Sequence, residues 1–140
     1  MAARGRDVLA HVPLFSGLPR KFLKRIADRL EEQRFMEGVT IVRYGDPGET
    51  FYVITEGEAK VQNRSGRTLT RLVPGDFFGE ISLMDGGPRT ASVVSETHLA
   101  ALTLSRKDFL AALAAEPEVT VRLLNHAAKL LRRQERSASR

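Results

Sequence analysis

The 140-residue chain reads as a mainly β domain, an antiparallel barrel or sandwich with helices at both ends. Three observations predict this class. Between Phe35 and Leu104, turn residues recur regularly: Gly38, Gly45-Asp46-Pro47-Gly48, Gly57, Ser65-Gly66, Pro74-Gly75 and Gly86-Gly87-Pro88. The runs between them are short and rich in β-branched and aromatic residues, with no long helical pattern among them. On either side of this middle region, apolar residues recur three or four apart, the spacing of a helix that buries one face.

Taken in order, residues 7–34 are expected to be helical. Phe22, Ile26 and Leu30 stand four apart with Leu23 and Ala27 beside them, and Pro13 to Pro19 form a turn between a short first helix and a second. Strands are expected within 35–104, at Val39 to Val42, Phe51 to Ile54, Ala59 to Val61, Thr68 to Val73, the Thr90-Ala91-Ser92-Val93-Val94 alternation, and His98 to Leu104. Ser105 is placed to cap a helix with Asp108 three residues on, and Phe109, Leu110 and Leu113 give that helix an apolar face. Pro117 breaks or restarts it, and Val119, Val121, Leu123, Leu124, Ala127, Leu130 and Leu131 mark a second helix, so that C-terminal helices occupy 105–135. A basic tail, 136–140, follows.

Bulk properties restrict the function. A chain of this length is most simply one domain, here 1–135, burying about two-thirds of its unfolded surface without staples. It has no cysteine, which excludes thiol chemistry and disulfides and fits a reducing compartment. Arg4 and Arg6 precede no apolar run of signal-peptide length and no stretch approaches a membrane span, so a cytoplasmic protein is expected. The net charge of +5 is uneven: residues 1–34 and 129–140 each balance at +4, and 35–128 at −3. Basic ends of this kind are commonly solvated helix faces and tails, so direct nucleic-acid binding is not expected. His11, His98 and His126 are scattered, and no nucleophile-elbow, paired-carboxylate or metal-ligand motif is present. No enzyme activity, metal or cofactor is expected.

The stretch 74–93 concentrates the chemistry. Pro74-Gly75 turns the chain and Phe77-Phe78 form a short apolar run. Gly79 then lets the backbone bend into Glu80-Ile81-Ser82-Leu83-Met84, long enough for about one helical turn, which Asp85-Gly86-Gly87-Pro88 ends. A turn with unpaired N–H groups behind a glycine is suited to an anion. Arg89 supplies a cation able to grip two phosphate oxygens at once. Glu80 is an acceptor suited to sugar hydroxyls. An acceptor for sugar and a cation for phosphate, nine residues apart across a tight loop, make a nucleotide-sized site.

These residues resemble a known family. Phe78-Gly79-Glu80-Ile81-Ser82-Leu83 followed by Pro88-Arg89-Thr90-Ala91-Ser92-Val93 is similar to the phosphate-binding cassette of the cyclic-nucleotide-binding domain. That domain occurs in catabolite-activator-type regulators, kinase regulatory subunits and cyclic-nucleotide-gated channels. The resemblance extends to Gly45 to Ile54 and Glu56-Gly57-Glu58 and covers roughly residues 12 to 135. It implies an eight-stranded antiparallel β-roll over 35–104 with the cassette at 75–93, N-terminal helices at 7–34, and C-terminal B and C helices. It further implies a sensor for cAMP, cGMP or both, with Gly79, Glu80, Ile81, Ser82, Arg89, Thr90 and Ala91 at the ligand. Thr90 would bond the cyclic phosphate, or the amino group of a guanine turned syn. A hinge including Phe109 or Leu110, and a lid from Leu130, Arg133 and Gln134, would carry the signal to a protein partner or a fused effector domain. The alternative is the ligand-binding fragment of a larger regulator, whether transcription factor, channel or enzyme.

Overall fold

Glycine and proline punctuation cuts residues 31–105 into eight strands in the computed structural model, which describes residues 2–138. They are β1 (Glu31–Phe35), β2 (Thr40–Val42), β3 (Thr50–Glu56), β4 (Ala59–Gln62), β5 (Thr68–Leu72), β6 (Phe77–Phe78), β7 (Ser92–Ser95) and β8 (Leu99–Ser105). All pair antiparallel in two four-stranded sheets, ordered β1-β8-β3-β6 and β2-β7-β4-β5. The helices among the described residues are α1 (Ala2–Ala10), α2 (Pro13–Ser16), α3 (Arg20–Ala27), α4 (Glu80–Asp85), α5 (Arg106–Ala115) and α6 (Pro117–Ala138). Of these only α4 interrupts the run of strands.

The chain divides into two compact units, Leu30–Phe109 and a helical unit of the residues up to Arg29 with those from Leu110 onward. In the strand unit, side chains of the two sheets meet in one core. Tyr52, Ile54, Phe78, Leu99 and Ala101 come from one sheet and Ala59 and Val93 from the other, with Phe35, Ile41, Val42, Val61 and Leu72 packed around them. Tyr52 and Phe78 stack at 4.6 Å between ring centroids. Strand β8 is buried on both faces from Leu99 to Leu104, which accounts for its nearly unbroken apolar run.

In the helical unit, α3 buries Phe22, Leu23, Ile26 and Ala27 of the stripe expected from spacing; Leu30, its last member, lies past the end of the helix and is half-buried. Arg25 on α3 pairs through Nε with the buried carboxylate of Glu116, between α5 and α6, at 2.9 Å. Arg122 Nη2 donates to Gly17 O at 3.1 Å, and His126 Nε2 bonds Pro13 O.

Several expected bounds need correcting: α1 begins at Ala2 where 7 was expected, and Pro13–Ser16, expected within a turn, form the short helix α2. The helices expected over 7–34 stop at Ala27, and Glu31 to Phe35 form β1 instead. Its sequence, Glu-Glu-Gln-Arg-Phe, shows no apolar alternation, because β1 is an edge strand with exposed side chains. Pairing with β8, from Glu31↔Thr103 to Phe35↔Leu99, makes it a strand. The strands accordingly run from 31 to 105 where 35–104 was expected. At the far end α6 continues to Ala138, into the predicted tail, and 139–140 lie outside the described residues. Ser105 does cap α5: its Oγ accepts the Asp108 N–H at 3.0 Å.

Candidate functional site

The loop from β6 to β7 is shaped by backbone conformations that few residues adopt. Gly79 has φ 90° and starts α4, and Gly86, φ 68°, ends it. An L side chain at φ near 90° is strained whatever surrounds it. Space is also lacking, since a Cβ on Gly79 would lie 2.7 Å from both Arg89 Nη1 and Thr50 O. After α4 the chain returns beside the β2–β3 loop. Arg89 N donates to Asp46 O (2.8 Å), Gly45 N to Arg89 O (2.9 Å) and Gly48 N to Gly87 O (3.2 Å). Gly48 presses against this return so closely that a Cβ there would meet Ser82 Oγ at 2.4 Å and Arg89 Nε at 2.8 Å. The Ser82 hydroxyl donates to Gly87 O at 3.2 Å, bracing the loop from inside.

Arg89 is the centre of this arrangement. It is only 7% exposed, and its Nη2 donates to Thr50 O at 2.9 Å. Its Nη1 is buried with no hydrogen-bond partner among the described residues. The guanidinium lies 6.0 Å from the centroid of the Tyr52 ring, within cation–π range. Burial lowers the Arg89 pKa from its ordinary value, with Tyr52 pulling it back up. The same burial raises the Tyr52 phenol, against the lowering effects of Arg89 and a Thr50 hydrogen bond. A buried cation held by one carbonyl, with a second donor unused, is set to receive an anion.

Gly79, Glu80, Ile81, Ser82, Arg89, Thr90 and Ala91 all line one cavity of about 160 Å³. Of these Glu80 is half-buried, and Ile81 and Thr90 are exposed. Phe77, Phe78 and three valines complete the wall. Val42 and Val61 both stand opposite Val93 in register, so the valines form an apolar floor across β2, β7 and β4. A second cavity of about 370 Å³, on the β2 and β3 side, shares Arg89 and Val42 with the first. Nothing in the motif pointed to the valine floor or to Gly48, Thr50 and Tyr52 as the seat of Arg89. Strand alternation could have found Val61 and Val93, each flanked by residues pointing to the opposite face.

The expected hinge and lid residues fall in both units. Phe109 is buried and closes the strand unit, Leu110 is 40% exposed, and neither lines the cavity. Leu130, Arg133 and Gln134 lie on α6 in the helical unit, Leu130 half-buried and the others exposed. Val121, Leu124 and Leu131 are exposed on the same helix, while Val119 and Leu123 are buried.

The chain is similar to several known proteins. Residues 32–116 match the family model described as cyclic nucleotide-binding domain. A cAMP-dependent protein kinase regulatory subunit of Colletotrichum orbiculare is 38% identical over 104 residues, 74% of this chain and 27% of that protein. A CRP-like cAMP-activated global transcriptional regulator of Mycobacterium tuberculosis is 34% identical over 131 residues, 91% of this chain and 58% of that protein. The chain thus spans between about a quarter and three-fifths of these curated relatives. The crystal structure of the N-terminal domain of a transcriptional regulator from Streptomyces coelicolor A3(2) superposes with a TM-score of 0.81 at 35% identity, covering 94% of both chains. No helix among the described residues is long and apolar enough to cross a membrane. With its paired antiparallel sheets, its glycine-framed α4 and a family match over more than half its length, the chain belongs to the cyclic nucleotide-binding domain family.

Proposed function

We propose that the cavity beside Arg89 binds cAMP, cGMP or both, and that the chain works as a non-catalytic sensor. The observation that carries this is the buried Arg89 guanidinium, whose Nη1 has no partner among the described residues. A cyclic phosphate would supply the missing acceptor and offset the cost of burying the cation. Gly79, Ile81, Ser82, Thr90 and Ala91 would surround the phosphate and ribose, and Glu80 would accept from the ribose 2′-hydroxyl. The relatives' names support cAMP. Thr90, exposed at the edge of the cavity, could serve the phosphate or a syn guanine, which keeps cGMP in the reading.

In this reading 1–135 acts as one sensing domain with its cassette at 75–93. Phe109 and Leu110 form the hinge and Leu130, Arg133 and Gln134 the lid, passing ligand occupancy to a protein partner or fused effector in the cytoplasm. Both cassette and lid must differ between free and bound states for a signal to pass. A second reading, the ligand-binding part of a larger regulator, is supported by the part coverage of both relatives and by a solved neighbour that is itself an N-terminal domain.

Isothermal titration with cAMP and cGMP, with 5′-AMP as a control lacking the cyclic ester, tests the proposal. A Kd of about micromolar or below, near −8 kcal/mol, is expected for at least one cyclic nucleotide and not for 5′-AMP. No heat from either cyclic nucleotide overturns it.

A further inference from the structure

A second arginine, half-buried, stands at the opposite end of α4 from Gly79. Arg106, the first residue of α5, donates from Nη2 to Met84 O, a carbonyl of the last turn of α4, at 3.2 Å. Its Nε is buried with no hydrogen-bond partner among the described residues. Its Nε and Cζ lie over Gly86, where an added Cβ would meet both at 3.3 Å. The Arg106 backbone N–H donates to Glu49 O at 2.7 Å. Glu49 directly precedes Thr50, whose carbonyl seats Arg89. One residue therefore holds the end of α4 and the loop behind Arg89 while it opens α5.

We propose that Arg106 is a positioning residue for the nucleotide site, pinning the C-terminal end of α4 to the start of α5. The inference rests on the sensor reading of the cavity for its function, though not for its geometry. A six-residue helix has too few internal hydrogen bonds to hold its own position, so contacts at its two ends decide where it sits. Gly79 sets one end by conformation. Arg106 sets the other with a cation on the exposed carbonyls of a helix C-terminus, the favourable placement for positive charge. Its planar guanidinium, with Nε and Cζ beside Gly86, presents several donors in a fixed fork, which a lysine ammonium cannot do. A displacement of α4 on ligand binding then moves Arg106 and the first turn of α5 with it. Ser105 ties that turn together through its bond from the Asp108 N–H.

Amide hydrogen exchange on Arg106→Met and Arg106→Lys, with and without cAMP, tests this. In nucleotide-free protein the Gly86 amide, which donates to Ser82 O at 2.8 Å, should exchange about tenfold faster in Arg106→Met and by a smaller factor in Arg106→Lys. Val53 and Leu102, paired between β3 and β8, should keep their protection. On adding cAMP, Gly86 and Phe109 should both slow in the native chain, and Gly86 alone in Arg106→Met. Unchanged Gly86 exchange, or a full Phe109 response in Arg106→Met, overturns the proposal. If Arg106→Met also loses protection at Val53 and Leu102, Arg106→Lys decides: faster exchange at Gly86 over an intact sheet supports the pin, and native exchange there overturns it. Failure of the native chain to bind cAMP or cGMP would sink the sensor reading separately, since Gly86 exchange without nucleotide still decides the pin.

Discussion

Strand β8 and the segment from Gly79 to Arg89 belong to one compact unit, yet they are held by opposite means. β8 is buried by apolar side chains on both faces, and its partners β1 and β3 satisfy its backbone. The segment from Gly79 to Arg89 buries a cation and a hydroxyl, Arg89 and Ser82, among glycines and carbonyls. The first region is built to be stable. The second keeps a polar group incompletely satisfied, a cost to the free protein that a ligand can remove.

The sharpest test of this contrast removes one buried side chain from each region. Leu104→Ala, at a fully buried position of β8, should lower the free energy of unfolding by about 2–5 kcal/mol in urea, with nucleotide affinity of the folded protein unchanged. Arg89→Ala should do the reverse. Binding should weaken about 30-fold or more by titration, and stability without nucleotide should shift by less than about 1 kcal/mol, because the lost bond to Thr50 is offset by relief of a buried charge. An Arg89→Ala variant that unfolds as readily as Leu104→Ala would erase the distinction between the regions.

Gly79→Ala joins the two effects. At φ 90° and 2.7 Å from Thr50 O, the added methyl should cost about 1–3 kcal/mol of stability by denaturant titration and weaken nucleotide binding by displacing Arg89. A smaller change is expected from Thr90→Ala. Its side chain is exposed, so stability should hold within about 0.5 kcal/mol. Affinity for cGMP should fall about twofold to tenfold, more than for cAMP, by competition titration. Equal losses for the two nucleotides would restrict Thr90 to the phosphate.

The smallest effect is at high pH. Burial keeps the Tyr52 phenol protonated above its ordinary value of 10.0. The folded chain then holds a proton that the unfolded chain releases. The resulting contribution to stability is complete below about pH 10 and is lost as pH rises through the raised value. Tyr44→Phe leaves Tyr52 as the sole tyrosine, so phenolate absorbance follows it directly. Adding Arg89→Ala should raise its titration further by removing the cation that lowers it. A fall would mean that the two side chains do not share one environment.

Residue spacing made much of this legible. Turn residues marked six of the eight strands and α4, because a chain that must reverse every eight to twelve residues needs glycine, proline and asparagine-like geometry at the reversals; β6, only two residues long, read as no more than a short apolar run. β1 escaped because Glu31-Glu32-Gln33-Arg34 shows exposed side chains and no period of two, and its strand character comes from backbone pairing with β8. Leu110, counted on an apolar face, is exposed, whereas Ala112 is buried with Phe109. Helical spacing identifies a stripe to within about one residue but not which of its members a neighbour covers.

For the site, sequence by itself determined the chemistry: a glycine-led turn with Glu80, then a lone arginine nine residues on, in the order of a known cassette. Side-chain type and spacing carry that information because they limit which charges and backbone angles the loop can present. Only the tertiary structure decided that Arg89 is buried with one donor unused, that Gly48, Thr50 and Tyr52 form its seat, and that Val42, Val61 and Val93 make one floor. It also decided that Arg106 reaches the far end of α4. Those contacts join residues dozens of positions apart, and burial is a property of what the rest of the chain brings alongside.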